Sequence, residues 1–328
     1  MGSEFETFGP WVQQVRTPQD VPRLYRGHRV DPASALLVLK IPRQIERRDA
    51  DPSMDLYDHL VVAGQDDLMV LSRTPRGAGV QRVPYEQIVA VQDSVDLLDG
   101  RLTVHAARYG APDGPEGPLT VRYNGASHEL LERLVALIRA WSLPAPPDPD
   151  PGPTPARLGL MALGVDDIAL VTTQRNLSVR DRAAAVRATH PRVAVVPQAT
   201  PGRPPVLTQL AHRVWPMTLH AAVVCGDERE VQVIGRRDQL VRGRAPEHSV
   251  SRTVWPRSRV TDVELVAHVR YAGVSVVRVR LGGTVLEAAV PAGSATAAAL
   301  LDRDGGRLAS GHDDARVDDG AVGDHRGR

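Results

Sequence analysis

Between Val83 and Trp141 the chain changes its hydrophobic rhythm once. Leu102, Val104 and Ala106 alternate with Arg101, Thr103 and His105, and Leu119, Val121 and Tyr123 alternate with Thr120 and Arg122. A period of two places one face of a strand against a core. Asp99-Gly100 precedes the first of these runs and reads as a tight turn, because glycine accepts the positive φ that such turns need. After Tyr123-Asn124-Gly125-Ala126-Ser127 the spacing lengthens: Leu130, Leu134, Leu137, Ile138 and Trp141 form one stripe of a helix. Ser127 is placed to cap it and Glu129 lies in its first turn, where a carboxylate suits the helix dipole.

The same order of elements recurs near the end of the chain. Val254-Trp255-Pro256-Arg257-Ser258-Arg259-Val260 parallels Val83-Pro84-Tyr85-Glu86-Gln87-Ile88, and Tyr271-Ala272-Gly273 stands where Leu98-Asp99-Gly100 stood. Ser275, Val277, Val279 and Leu281 alternate with Val276, Arg278 and Arg280. Leu286, Ala288 and Val290 follow, alternating with Glu287 and Ala289. Pro291-Ala292-Gly293-Ser294 opens an alanine-rich helix through Leu301. Repeated order and spacing with few shared identities point to a structural duplication.

The rest of the pattern is uneven. Residues 6–34 are polar and broken by prolines, a lead-in to the first unit. Ala35–Ile41 is an apolar strand. Leu60-Val61-Val62 and Leu68-Met69-Val70-Leu71 form a hairpin around Gln65-Asp66-Asp67, and Arg76-Gly77-Ala78-Gly79 is a further turn. Seven of the twelve residues from Pro144 to Pro155 are proline, so residues 143–157 read as an extended linker. Residues 158–216 read as a mixed connector: a helix starting at Asp166-Asp167, a strand over Val193–Val196, and a short helix carrying Leu207, Leu210 and Val214. Strands resume at Leu219–Val224 and Val231–Ile234. Residues 304–328 have the composition of a disordered tail. Met1-Gly2-Ser3-Glu4-Phe5 has the form of a cloning scar and is set apart from the fold. The expected fold is therefore mainly β with capping helices, with units over 35–142 and 217–303.

Composition narrows the chemistry. The chain has 328 residues, the length of two domains, and a net charge of +1, too small to draw the whole molecule to nucleic acid or membrane. Lys40 is the one lysine among 40 basic residues. Such an arginine bias could suit phosphate recognition, but a GC-rich coding sequence that favours Arg, Ala, Gly, Pro, Val and Asp together is the preferred explanation. Cys225 is the sole cysteine, which excludes an internal disulfide and a cysteine metal cage. The histidines lack metal-ligand spacing, and Gly77-Ala78-Gly79 and Gly282-Gly283 precede no helix, so they read as hairpin turns and not phosphate loops. An aromatic content of 4% argues against base-stacking platforms for single-stranded nucleic acid. No cofactor is expected. No apolar run approaches a bilayer span, so a cytoplasmic protein, peripheral to a membrane at most, is the expectation.

Strands followed by one C-terminal amphipathic helix in about a hundred residues resemble the pleckstrin-homology-like fold, in which two sheets form a barrel that the helix closes. The matching features are the Asp99-Gly100 turn, the strand Leu119-Thr120-Val121-Arg122-Tyr123 and the helix after Ser127. The resemblance covers roughly 35–141 and 217–303, and extends to bacterial proteins of unassigned function with such domains. It implies two barrels, each closed by a helix, and a habit of binding lipids, peptides or partner proteins. It brings no catalytic residue.

Two basic clusters are the candidate ligand sites. Members of the family that hold phosphoinositides use basic residues flanking their first hairpin loop. Lys40, Arg43, Arg47 and Arg48 lie near that place, offset by Glu46, Asp49, Asp51 and Asp55. In the second unit Arg236, Arg237, Arg242, Arg244 and Arg252 face only Asp238 and Glu247, a surplus suited to a phosphate if the guanidiniums converge. The sequence thus favours a non-enzymatic tandem module that binds another protein or serves as a scaffold. A binder of anionic lipid or a phosphorylated ligand through 235–252 is the alternative. An enzyme with its site in 158–214 is the more distant one.

Overall fold

The computed structural model describes residues 4–107, 117–143, 157–198, 216–243 and 247–302. The protein is mainly β, built from antiparallel sheets and a few helices. No sheet closes into a barrel among the described residues. The proline-rich linker, the predicted helix around Leu207–Val214 and the C-terminal tail lie outside them.

The first unit starts earlier than the apolar pattern implied. Strand β1 (Gln13–Gln14) pairs with β2 (Leu37–Pro42), and the sheet continues through β3 (Tyr57–Ala63), β4 (Asp67–Thr74) and β5 (Gly77–Pro84). The lead-in also buries Phe8, Val12, Val15, Val21 and Tyr25 on this sheet. Glu4 and Phe5, set apart as a scar, belong to the fold. They begin the short helix α1 (Glu4–Thr7), whose Glu4 carboxylate accepts a hydrogen bond from the Arg23 amide at 2.9 Å, and Phe5 packs on the core.

After a single turn of 3-10 helix over Tyr85–Gln87 come β6 (Ile88–Asp96), β7 (Asp99–Ala106) and β8 (Leu119–Asn124), then helix α2 (His128–Ser142). The hairpin turn is Leu97-Leu98 and not Asp99-Gly100: Leu97 takes φ 53° and Asp96 pairs with Asp99. Gly100 sits inside β7 because a Cβ there would lie 2.4 Å from the Tyr123 ring. The α2 stripe is centred on Leu131, Leu134, Val135 and Ile138, all buried, while Trp141 lies at its edge, stacked on Tyr85. The Ser127 hydroxyl does not cap the helix. It accepts a hydrogen bond from the Val12 amide at 3.0 Å and ties the lead-in to α2.

The second half repeats this order with insertions. Helix α3 (Ile168–Arg180) leads into β9 (Val186–His190) and β10 (Val193–Pro197). After them come β11 (Met217–Leu219), β12 (Ala222–Gly226), β13 (Glu230–Gly235), β14 (Leu240–Arg242) and β15 (Val250–Pro256). The run Leu219–Val224 is therefore two strands in two sheets. β9, assigned to the connector by its sequence, pairs with β12 as the outer strand of the β9-β12-β13-β15 meander. Four insertion-derived strands form a small separate sheet, β14-β11-β10-β17, where β17 is Tyr271–Ala272. A 3-10 turn (Arg257–Arg259) then precedes β16 (Asp262–Ala267), β18 (Val274–Leu281), β19 (Thr284–Pro291) and helix α4 (Ala295–Leu301). Ser294 caps α4, its Oγ accepting from the Ala297 amide at 3.2 Å.

The two halves correspond residue by residue over their middle. Pro84 and Pro256 both end the fourth strand of the meander and both precede a 3-10 turn. The same offset brings Ala90, paired with His105, onto Asp262, paired with Arg280. Leu102, Val104 and Ala106 then correspond to Val277, Val279 and Leu281, every one buried.

The halves are joined by a strand pair. β6 of the first pairs antiparallel with β15 of the second, Val91 opposite Val254, Asp93 opposite Arg252 and Val95 opposite Val250. One seven-stranded sheet results, in the order β8-β7-β6-β15-β13-β12-β9. A bulge at Val89 lets β6 serve both cores. Ile88 and Val91 face the first, while Val89 and Ala90 pack with Val277, Val290 and Leu300 of the second.

Candidate functional site: an ionic seam along the shared sheet

The polar chemistry of the molecule gathers where the halves meet. Helix α2 turns its apolar side to the first core, and its other edge carries Arg139 towards β13. There Arg139 Nε donates to Glu230 Oε2 at 3.1 Å and its Nη2 to Glu230 Oε1, while Nη2 also lies 2.8 Å from the Asp181 carboxylate. Glu230 is wholly buried, and Gln232 donates to its Oε1 at 2.6 Å. From β15, Arg252 reaches Asp181 at 3.1 Å and the Gln232 amide oxygen at 2.8 Å. Two guanidiniums and two carboxylates thus close a neutral ring joining α2, β13, β15 and the end of α3. Burial raises the Asp181 carboxyl, but the Arg139 charge, the Gln232 hydrogen bond and the Arg252 charge outweigh it and hold the pKa below its ordinary value.

A second cluster lies further along β6. Tyr123 Oη donates to Asp93 Oδ1 at 2.7 Å. His128, the first residue of α2, has Nδ1 3.2 Å from Asp93 Oδ2 and Nε2 3.3 Å from Glu132 Oε1. Burial disfavours the imidazolium, but hydrogen bonds and charge from Asp93 and Glu132 prevail and raise its pKa to about 9.

The predicted phosphate loop enters this framework as structure. Arg236 is buried: Nε and Nη2 hold Asp167 Oδ1 at 3.1 and 2.8 Å, Nη1 donates to the Ser249 carbonyl at 2.8 Å and Nη2 to the Asp166 carbonyl at 2.6 Å. Arg192 joins Asp167 at 3.2 Å. Arg237, next in sequence, turns instead to Asp99 at 2.6 Å and to Ser94 Oγ at 3.2 Å. Burial works against the Asp99 charge, and hydrogen bonds from Arg237 and Arg122 more than compensate, lowering its pKa. Arg252 belongs to the Glu230 ring. Arg242 is exposed in β14, and Arg244 lies outside the described residues. The arginines that sequence grouped together therefore diverge to three sets of internal carboxylates, because each guanidinium finds its partner on a remote segment that spacing does not show.

Of the basic residues near the first hairpin, all but Arg48 are held by the fold. Lys40 is buried in β2, 5.0 Å from the centre of the Tyr57 ring, and burial lowers its pKa. Arg43 donates to the Asp55 carbonyl at 3.4 Å, and Arg47 donates to the Phe8 carbonyl and lies over the Phe5 ring. Arg48 is exposed and pairs with Glu46 at 2.8 Å.

A cavity of about 40 Å³ lies between β12, β13, β15 and β19, lined in part by His190, His220, Arg236 and Gln239. His190 Nε2 donates to the His220 carbonyl at 3.1 Å, and Thr296 Oγ1 lies 3.0 Å from Nδ1. Burial lowers the pKa of both histidines, with Arg192 adding to the effect at His220. The space suits a few waters and falls far short of the roughly 300 Å³ of a small-molecule site. Among the described residues no group of three or more His, Cys, Asp or Glu side chains is placed to hold a metal ion. No helix among them is long and apolar enough to cross a membrane.

The seam residues Asp93, His128, Arg139, Asp181 and Glu230 were not among the sequence candidates. The one local signal is a charge set against apolar neighbours, Arg139 between Leu137-Ile138 and Trp141, and Glu230 at the head of Val231–Ile234. No protein-family model, curated protein or solved structure matches the chain.

Proposed function

We propose that the protein is a non-enzymatic tandem module of pleckstrin-homology-like units that works as a scaffold for protein–protein interaction. The observation that carries this reading is the repeated order of a four-strand meander, a three-strand sheet and a C-terminal helix, joined through β6 and β15. The ionic seam supports it: three of the five arginines offered for phosphate are held by Asp167, Asp99 and Asp181. An anion would have to displace those carboxylates. Rigid joining of two small units suits a protein that holds partners at fixed separation.

Co-sedimentation with vesicles containing anionic lipid, at low and moderate ionic strength, tests the reading. An interaction module stays in the supernatant at both. Sedimentation at low salt that weakens steeply with added salt, and falls in the Arg242→Ala variant, would replace this reading with the anionic-ligand one.

A further inference from the structure

Among the described residues, the joint between the halves leaves two unpaired strand edges that are its counterparts, and we propose that they join copies of this chain head to tail: β16 of one molecule pairs antiparallel with β5 of the next. The proposal rests on the correspondence of the two units described above.

The hydrogen-bond parity of the strands carries the argument. The Arg257 amide bonds the Arg229 carbonyl, so Trp255, Thr253 and Ser251 bond inward to β13. Val254, Arg252 and Val250 then face β6, opposite Val91, Asp93 and Val95. The counterpart of β15 is β5, which ends the sheet β1-β2-β3-β4-β5. There the Tyr85 amide bonds the Asp66 carbonyl, so Val83, Gln81 and Gly79 bond β4, while Arg82, Val80 and Ala78 turn their backbone groups outward. These three correspond in order to Val254, Arg252 and Val250.

The counterpart of β6 is β16, which ends the sheet β16-β18-β19. The His268 amide bonds the Val274 carbonyl, so Val266, Glu264 and Asp262 bond β18, and Val263, Leu265 and Ala267 face outward. They correspond in order to Val91, Asp93 and Val95. Neither outward set bonds another backbone group among the described residues. The 3-10 turn Arg23–His28 lies beside β5, but its cap amide bonds within the turn, Arg29 to Arg26.

The register of the internal joint, transferred to these edges, sets Arg82 opposite Val263, Val80 opposite Leu265 and Ala78 opposite Ala267. Val80 and Leu265 are both large apolar residues left exposed, 44% and 43% respectively. They fall opposite each other at the centre of the pair, where mutual burial is the expected outcome. The two edges differ, so the contact is heterologous. It propagates from copy to copy and ends in a closed ring or an open filament.

Proline substitution at an outward-facing edge position removes the amide needed by an incoming strand and none used internally. Sedimentation velocity of the full chain over a dilution series, with Leu265→Pro and Val80→Pro, tests the proposal. The wild type is expected to populate masses of two, three and more chains as concentration rises. Each variant alone is expected to remain a single chain, because it lacks one of the two edges. An equimolar mixture of the two variants is expected to stop at a 1:1 pair, formed through the intact β5 of one and the intact β16 of the other. Circular dichroism melting identifies any variant that does not fold, and Leu265→Lys or Val80→Lys then takes its place. A wild type of single-chain mass at every concentration, assembly undiminished in the single variants, or no pair in the mixture would each overturn the proposal. None of those results bears on the interaction-module reading, which the vesicle assay judges separately.

Discussion

Arg139→Met tests whether the ionic seam holds the halves together. The Glu230 carboxylate is wholly buried and takes two hydrogen bonds from Arg139. Gln232, its remaining neutral partner, cannot supply the missing charge. Removing one member of a buried ion pair leaves an uncompensated charge and costs about 3–5 kcal/mol. That is a large share of a folded protein's stability of about 5–15 kcal/mol. Arg139→Met with Glu230→Met removes both charges, and the Arg252–Asp181 pair at 3.1 Å keeps its own balance. The double variant is therefore expected to recover most of the loss, since apolar replacement of a buried pair is often neutral or better. Urea unfolding followed by tryptophan fluorescence reads the effect directly. Trp141 lies two residues beyond Arg139, and Trp255 pairs with Val231, next to Glu230. With an m-value of about 3 kcal/mol per molar, the single variant's midpoint falls by about 1 M or more. A single-variant loss below about 1 kcal/mol, within the range of an exposed pair, or a double variant no better than the single one, would refute the reasoning.

Two further outcomes follow from the same geometry. The folded pKa of His128 is raised above its ordinary 6.5 to about 9, so its contribution is complete below pH 6.5 and is lost as pH rises through about 9. His128→Gln should flatten the melting temperature between those limits, and an equal alkaline decline in wild type and variant would count against the Asp93–His128–Glu132 cluster. Leu134 is fully buried on the core-facing side of α2, so Leu134→Ala should lose about 2–5 kcal/mol in the same urea assay. A loss under about 0.5 kcal/mol, the scale of surface changes, would misplace the helix.

The elements most legible in the sequence are those whose burial is one-sided. β7, β8 and β18 alternate cleanly because one face packs on a core and the other does not. β9 was illegible because its five residues, Val-Arg-Ala-Thr-His, bury only Ala188 and His190, and its place is set by pairing with β12 across an insertion. Asp99-Gly100 reads as a turn, yet its glycine answers to packing under the Tyr123 ring and not to backbone conformation. The fate of the arginines was the hardest to foresee. Asp167 lies 69 residues before Arg236, and Asp99 lies 138 before Arg237, so no local window contains both partners.

That long reach explains why an arginine-rich surface need not be an anion-binding one. A guanidinium carries five donors in a rigid plane, and a single carboxylate rarely saturates them. Arg236 uses its fork on one carboxylate and still reaches two backbone carbonyls, so it fixes the Asp166-Asp167 start of α3 to the loop before β15 in one side chain. Lysine, with a single ammonium, would reach fewer of these acceptors at once. Arginine at these positions thus ties together segments that the insertions in the second half pushed apart. Among the described residues, edge groups open to a partner are of another kind: the outward amides and carbonyls of β5 and β16, bordered by Val80 and Leu265. Recognition through such edges depends on main-chain hydrogen bonds and alternate side chains. It is therefore expected to be far less sensitive to salt than binding through arginines, and the vesicle and sedimentation experiments differ in that respect.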